Sequence, residues 1–122
     1  MKTAFAFWEN RIAPVFDTAR QVYIVEAELR RIVREGQESL AVDLPVQKAL
    51  RLAELGVGTL ICGAISRTLQ EMVNGCGIRV VPFVAGDLRE VIHAWFSGGF
   101  DRGAFIMPGC FGERRRRFRG RH

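Results

Sequence analysis

Apolar positions recur with two different rhythms along this chain, and the change of rhythm sets its architecture. Residues 2–8, KTAFAFW, are mostly apolar with weak alternation, as a strand covered on both faces is. Asn10-Arg11-Ile12-Ala13-Pro14 reads as a loop. Residues 21–28, QVYIVEAE, alternate, with Tyr23 and Val25 on one face and Val22 and Ile24 on the other. Residues 29–34 continue as a third strand, with Ile32 and Val33 apolar between arginines. The connections are short, so these strands are expected to be antiparallel neighbours.

From Asp43 the period lengthens. Pro45 opens a helix, because its missing N–H would have no partner at the first helical position anyway. Val46, Ala49, Leu50 and Ala53 fall at i, i+3, i+4 and i+7 and predict its buried face. Gly56 caps it. Residues 57–62 form a buried strand. Ser66 caps a second helix whose Leu69, Met72 and Val73 turn to the core, and Asn74-Gly75 ends it. Residues 78–82 form another strand. Asp87 and Glu90 have capping-box spacing ahead of a last helix, which buries Leu88, Val91, Ile92 and Trp95. Trp8 and Trp95 are both expected in the core. The order is three strands, then helix, strand, helix, strand, helix. It predicts a three-layer α/β domain: a mixed five-stranded sheet flanked by helices on both faces.

Chemistry concentrates between Gly56 and Pro82. A right-handed strand–helix–strand unit presents its loop, Cys62-Gly63-Ala64-Ile65-Ser66, at the carboxyl end of the sheet, where open α/β folds bind ligands. The loop offers a thiol and several backbone N–H groups at a helix N-terminus, which suits anionic ligands. A Cys62 thiolate there could ligate iron; the bland alternative is a small core residue. Asn10 and Arg11 follow the first strand and border the same loop. Arg11 could pair with an anion or simply be solvated. Cys76 lies beyond a helix of about ten residues, roughly 15 Å away, so it cannot share a cluster with Cys62 and reads as a turn residue. Cys110, within Met107–Gly112, could fold back toward Cys62, bridge two chains, or be an incidental thiol. Three cysteines cannot supply an all-protein four-cysteine cluster site. His93 falls off the apolar stripe of the last helix and reads as a surface residue.

Charge divides the chain differently. The net charge is +5, and residues 113–122 hold six arginines and one glutamate, so the whole excess sits there. The body, residues 1–100, is then no basic nucleic-acid surface. Residues 101–122 read as a flexible Cys- and Arg-rich tail. Arg114–Arg121 could contact nucleic acid or an acidic protein. No apolar run approaches the roughly 18 residues of a membrane span, the opening residues read as a strand rather than a signal peptide, and the odd, scattered cysteines suit a reduced cytoplasm. Glu9 and Asp17 are a poor carboxylate set for two-metal hydrolysis, and no Ser-His-Asp or Cys-His arrangement accompanies the loop. Enzyme activity is not expected.

Three stretches in this order resemble a known family: Glu9-Asn10-Arg11-Ile12-Ala13-Pro14-Val15-Phe16, Leu55-Gly56-Val57 through Cys62-Gly63-Ala64-Ile65, and Gly77-Ile78-Arg79-Val80. The chain resembles the dinitrogenase iron–molybdenum cofactor biosynthesis domain of the NifX-like type, over residues 1–100, and its MPGCFG-arginine end is similar to tails of small stand-alone members. The resemblance implies a ribonuclease-H-like fold. It also implies a non-enzymatic carrier or chaperone of an iron–sulfur or iron–molybdenum–sulfur cluster, working with a cluster donor or acceptor protein as a monomer or weak homodimer. The cofactor site expected from the residues is Asn10, Arg11, Cys62, Gly63, Ala64, Ile65 and Ser66, with Cys62 and Cys110 as candidate metal ligands. Several members have His and Gly on either side of the Phe in the first stretch, and that His is a candidate cluster ligand. Val15 and Asp17 stand there in this chain, which fits general cluster handling better than the nitrogenase cofactor in particular.

Overall fold

A computed structural model describes residues 1–29, 31–40 and 44–97. The elements are β1 (Lys2–Trp8), β2 (Arg11–Ile12), a 3-10 turn (Phe16–Thr18), β3 (Gln21–Glu28), β4 (Arg31–Ser39), α1 (Pro45–Glu54), β5 (Thr59–Ile61), α2 (Arg67–Gly75), β6 (Arg79–Val81) and α3 (Leu88–Ser97). The sheet runs β4-β3-β1-β5-β6, and β2 pairs with β1 off this path. The β4–β3–β1 half is antiparallel and the β1–β5–β6 half parallel. The mixed three-layer α/β architecture is the expected one, with a sixth, two-residue strand where a loop was expected.

Each face of the sheet has its own core. Ala4, Ala6, Val22 and Leu60 pack under α1 and α2 with Ala49, Leu52, Leu69 and Val73. Phe5, Phe7, Val25, Ile61 and Val81 pack under α3 with Leu88, Val91 and Ile92. Central β1 is covered on both sides, which is why its sequence is apolar without clean alternation. Among the described residues no helix is long and apolar enough to cross a membrane.

Three expectations need correction. The third strand does not begin at Leu29: Leu29 sits in the turn with φ +52, and β4 runs on to Ser39 because it pairs with β3 as far as Gln21. The buried face of α1 is Lys48, Ala49 and Leu52, while Val46 and Leu50 are exposed. The helix is rotated from its apolar stripe because Lys48 has polar partners inside. Trp8 is 59% exposed rather than in the core. It ends β1 beyond the last residue that β5 pairs, Phe5, so no neighbouring parallel strand flanks it.

Candidate functional site

The carboxyl end of the parallel strands is built by the chain leaving β1. Glu9 takes φ +57 in the turn to β2. Asn10 then docks on the α3 side, its carbonyl accepting from Leu88 N at 2.9 Å. Arg11 forms an isolated bridge with Asp87 and is exposed. Asp87 caps α3, its Oδ2 accepting from Glu90 N at 3.1 Å. Asn10 and Arg11 thus knit β2 to the start of α3.

The next residues close over the β5–α2 loop. Ala64 N donates to Pro14 O at 2.8 Å, and Phe16 N donates to Ala64 O at 2.7 Å. Asp17 Oδ1 accepts from Ser66 N at 2.8 Å, and Ser66 Oγ accepts from Leu69 N at 3.2 Å. A Cβ on Gly63 would lie 2.5 Å from the carbonyl oxygens of both Ala13 and Pro14. Glycine is required there by the approach of another backbone, not by a phosphate-like cradle. Of the N–H groups from Cys62 to Ser66, those of Cys62, Ala64 and Ser66 already have protein acceptors, Val81 O taking the first at 3.1 Å. The expected row of free donors is therefore largely occupied, and a carboxylate already faces the α2 N-terminus.

Cys62 lies beneath this loop with no exposed surface. Burial, and then the charge of Asp17, push its thiol up to about 12. In this conformation the thiol is covered and held in its neutral form. Cys76, at the opposite end of α2, is exposed. His93 is also exposed. Among the described residues no three His, Cys, Asp or Glu side chains converge to hold a metal ion. Cys110 and Arg114–Arg121 lie outside the described residues.

The apolar stripe along α1 left out Lys48. Its Nζ donates at 2.7 Å to both Phe16 O and Asp17 O and sits 5.1 Å from the centre of the Phe16 ring. Burial lowers its pKa, and the Asp17 charge opposes the shift. Lys48 therefore fixes the underside of the 3-10 turn while Asp17 fixes it to α2. The sole hint in the sequence is a cation flanked by Ala49 and followed by Leu52.

Residues 13–15 and 18–21, on either side of Phe16 and Asp17, form one wall of a crevice of about 820 Å³, whose other walls come from the ends of β1 and β4. Phe7, Trp8, Pro14 and Val15 supply apolar surface, and Arg20 and Gln37 polar groups. Trp8 and Val15 are exposed at its rim. Neither Asn10, Arg11 nor any residue from Cys62 to Ser66 lines it. The structure thus brings the Cys62 loop against residues 13–17 but leaves it outside the cavity. A Trp closing an otherwise buried strand was the available signal.

The family model described as dinitrogenase iron-molybdenum cofactor matches residues 1–98. No curated protein matches the chain in sequence. Among solved structures, the chain is similar to PH0822, with a TM-score of 0.79 and 20% identity over 89% of this chain and 98% of that one. It is also similar to the apo form of the orange protein from Desulfovibrio gigas, with a TM-score of 0.66 and 18% identity over 80% of this chain and 88% of that one. At these identities the structures share the fold.

Proposed function

The chain belongs to the dinitrogenase iron–molybdenum cofactor family, and from that premise we propose that it is a non-enzymatic carrier of a metal–sulfur cluster held in the Trp8–Val15 crevice. The observation that carries this reading is the crevice of about 820 Å³ at the carboxyl end of β1, with an aromatic rim and few charges. Arg20 is the cation among its lining residues and Glu38 the carboxylate. Such a site suits a cargo that brings its own bridging sulfides and must later leave. The Cys62–Ser66 loop supports the wall rather than touching the cargo, since its thiol is covered and Asp17 occupies the helix N-terminus. With Cys62 buried, a protein thiolate ligand falls to Cys110. Donor and acceptor proteins are the partners, and the free thiols of Cys62 and Cys76 suit a reducing cytoplasm.

Anaerobic reconstitution with iron and sulfide, followed by absorption spectra and iron content, tests the reading. Wild type and Cys62→Ala should retain iron, whereas Trp8→Ala and Cys110→Ala should lose it. Loss confined to Cys62→Ala would return the site to the β5–α2 loop. A second reading rests on the excess charge at residues 113–122: a contact with nucleic acid or an acidic protein. It requires salt-sensitive binding that disappears when those residues are removed.

A further inference from the structure

β4 is the longest strand of the sheet and its edge; among the described residues no strand pairs with its outer side. An exposed edge presents a row of unpaired backbone donors and acceptors. From Arg34 to Ser39, on the far side of the bulge at Glu26/Ala27, its pairing with β3 is regular. In the middle of that stretch stands Gly36. Its φ is not in the left-handed region, and a Cβ there would meet nothing within 4 Å. Nothing among the described residues crowds this position; a glycine inside a strand can mark a bulge, a bend or the close approach of a ligand or another backbone, and the bulge of this pair lies elsewhere, at Glu26/Ala27.

We propose that this edge pairs antiparallel with β4 of a second copy of the chain, about a two-fold axis at Gly36. A two-fold axis normal to the sheet keeps each side chain on its own face and makes the contact isologous. Arg34 then stands opposite Glu38 of the second copy, twice, and Glu35 opposite Gln37. Arg34 and Glu38 lie on the α1 face, where Arg34 already approaches Glu26 at 3.8 Å and Glu38 approaches Arg51 at 3.5 Å. Across the axis these become one row of alternating sign: Arg51, Glu38, then Arg34 and Glu26 of the second copy. On the other face the Gln37 amide meets Glu35, which already accepts from Tyr23 at 2.6 Å and from Arg89 at 3.1 Å.

Neighbouring registers lack this match. Sliding one step places Glu35 opposite Glu35, and two steps place Arg34 opposite Arg34; like charges directly opposite are unfavourable. One step the other way leaves Glu38 facing Gly36 and Glu35 facing Ser39. In the matched register the second copy's Glu35 stands beside Gln37, which lines the crevice. The pairing therefore extends that wall.

Sedimentation equilibrium on the full chain tests the pairing through charge reversal. R34E and E38R each place two like-charged pairs across the axis. Each should weaken the wild-type dimer at least about tenfold, which is ~1.4 kcal/mol. An equimolar mixture of R34E and E38R restores opposite charges at every pair and should recover dimer. Wild type remaining monomeric at every concentration reached would overturn the pairing. So would variants that dimerise as tightly as wild type, or a mixture that associates no better than either variant alone.

Discussion

Lys48→Met removes the ammonium beneath the 3-10 turn and keeps a side chain able to pack on Phe16. Two hydrogen bonds from a charged donor, both 2.7 Å long, are lost, and bonds to charged groups contribute about 1.5–3 kcal/mol each. Against this stands the desolvation of a residue that is only 4% exposed, the same burial that lowers its pKa. Phe16 O retains one other donor, Ala19 N at 3.0 Å, whereas Asp17 O loses its partner. The expected net destabilisation is about 2 kcal/mol, smaller than the sum because the ammonium no longer has to be buried. For a domain of this size that corresponds to a fall in Tm of about 8–16 °C. Urea unfolding at pH 7 should show a lower midpoint at unchanged slope. Amide exchange should accelerate in residues 13–19 before it does in β5. A variant as stable as wild type, with unchanged exchange in that segment, would refute Lys48 as the support of the crevice wall.

Gly63→Ala forces a Cβ against two backbone carbonyls at 2.5 Å and should cost about 1–3 kcal/mol or more, read as a lower Tm by calorimetry. Asp17→Ala removes the acceptor from Ser66 N and should cost about 1 kcal/mol, as loss of a helix cap does; urea midpoints measure it. The Cys62 thiol is raised from 9.0 to about 12, so the unfolded chain releases this proton first. The corresponding stability is full below pH 9 and is lost as pH rises toward 12, at up to about 1.4 kcal/mol per unit. Wild type should lose roughly 1 kcal/mol more than Cys62→Ala between pH 8 and pH 10 in paired urea titrations. In Cys110→Ala, one thiol (Cys76) should react quickly with a thiol reagent, and Cys62 only on unfolding.

The architecture was legible because hydrophobic burial writes itself as periodicity. Alternation in residues 21–28 put Tyr23 and Val25 on one face and Val22 and Ile24 on the other, as in the sheet. Helix starts were legible where a local chemical signal marks them: Pro45, Ser66 with its bond to Leu69 N, and Asp87 with its bond to Glu90 N. The phase of α1 was hidden because a tertiary contact, Lys48 with the turn at Phe16, outweighed the apolar stripe of Val46 and Leu50. The length of β4 was hidden because its partner supplies its order: an exposed edge strand needs no apolar pattern of its own. The position of the β5–α2 loop at the carboxyl end was legible from topology. That its donors are consumed by Pro14 and Asp17, which lie about 50 positions earlier in the chain, was not, because sequence distance carries no information about which segments close on each other.

The most direct test of where the cargo sits is an amide NMR spectrum of the full chain, recorded without oxygen before and after reconstitution with iron and sulfide. Broadening centred on residues 7–8, 18–21 and 37–39 is the predicted outcome and would place the cluster in the crevice. Broadening centred on residues 10–11 and 62–66, with residues 37–39 unchanged, would contradict it and place the cluster on the β5–α2 loop.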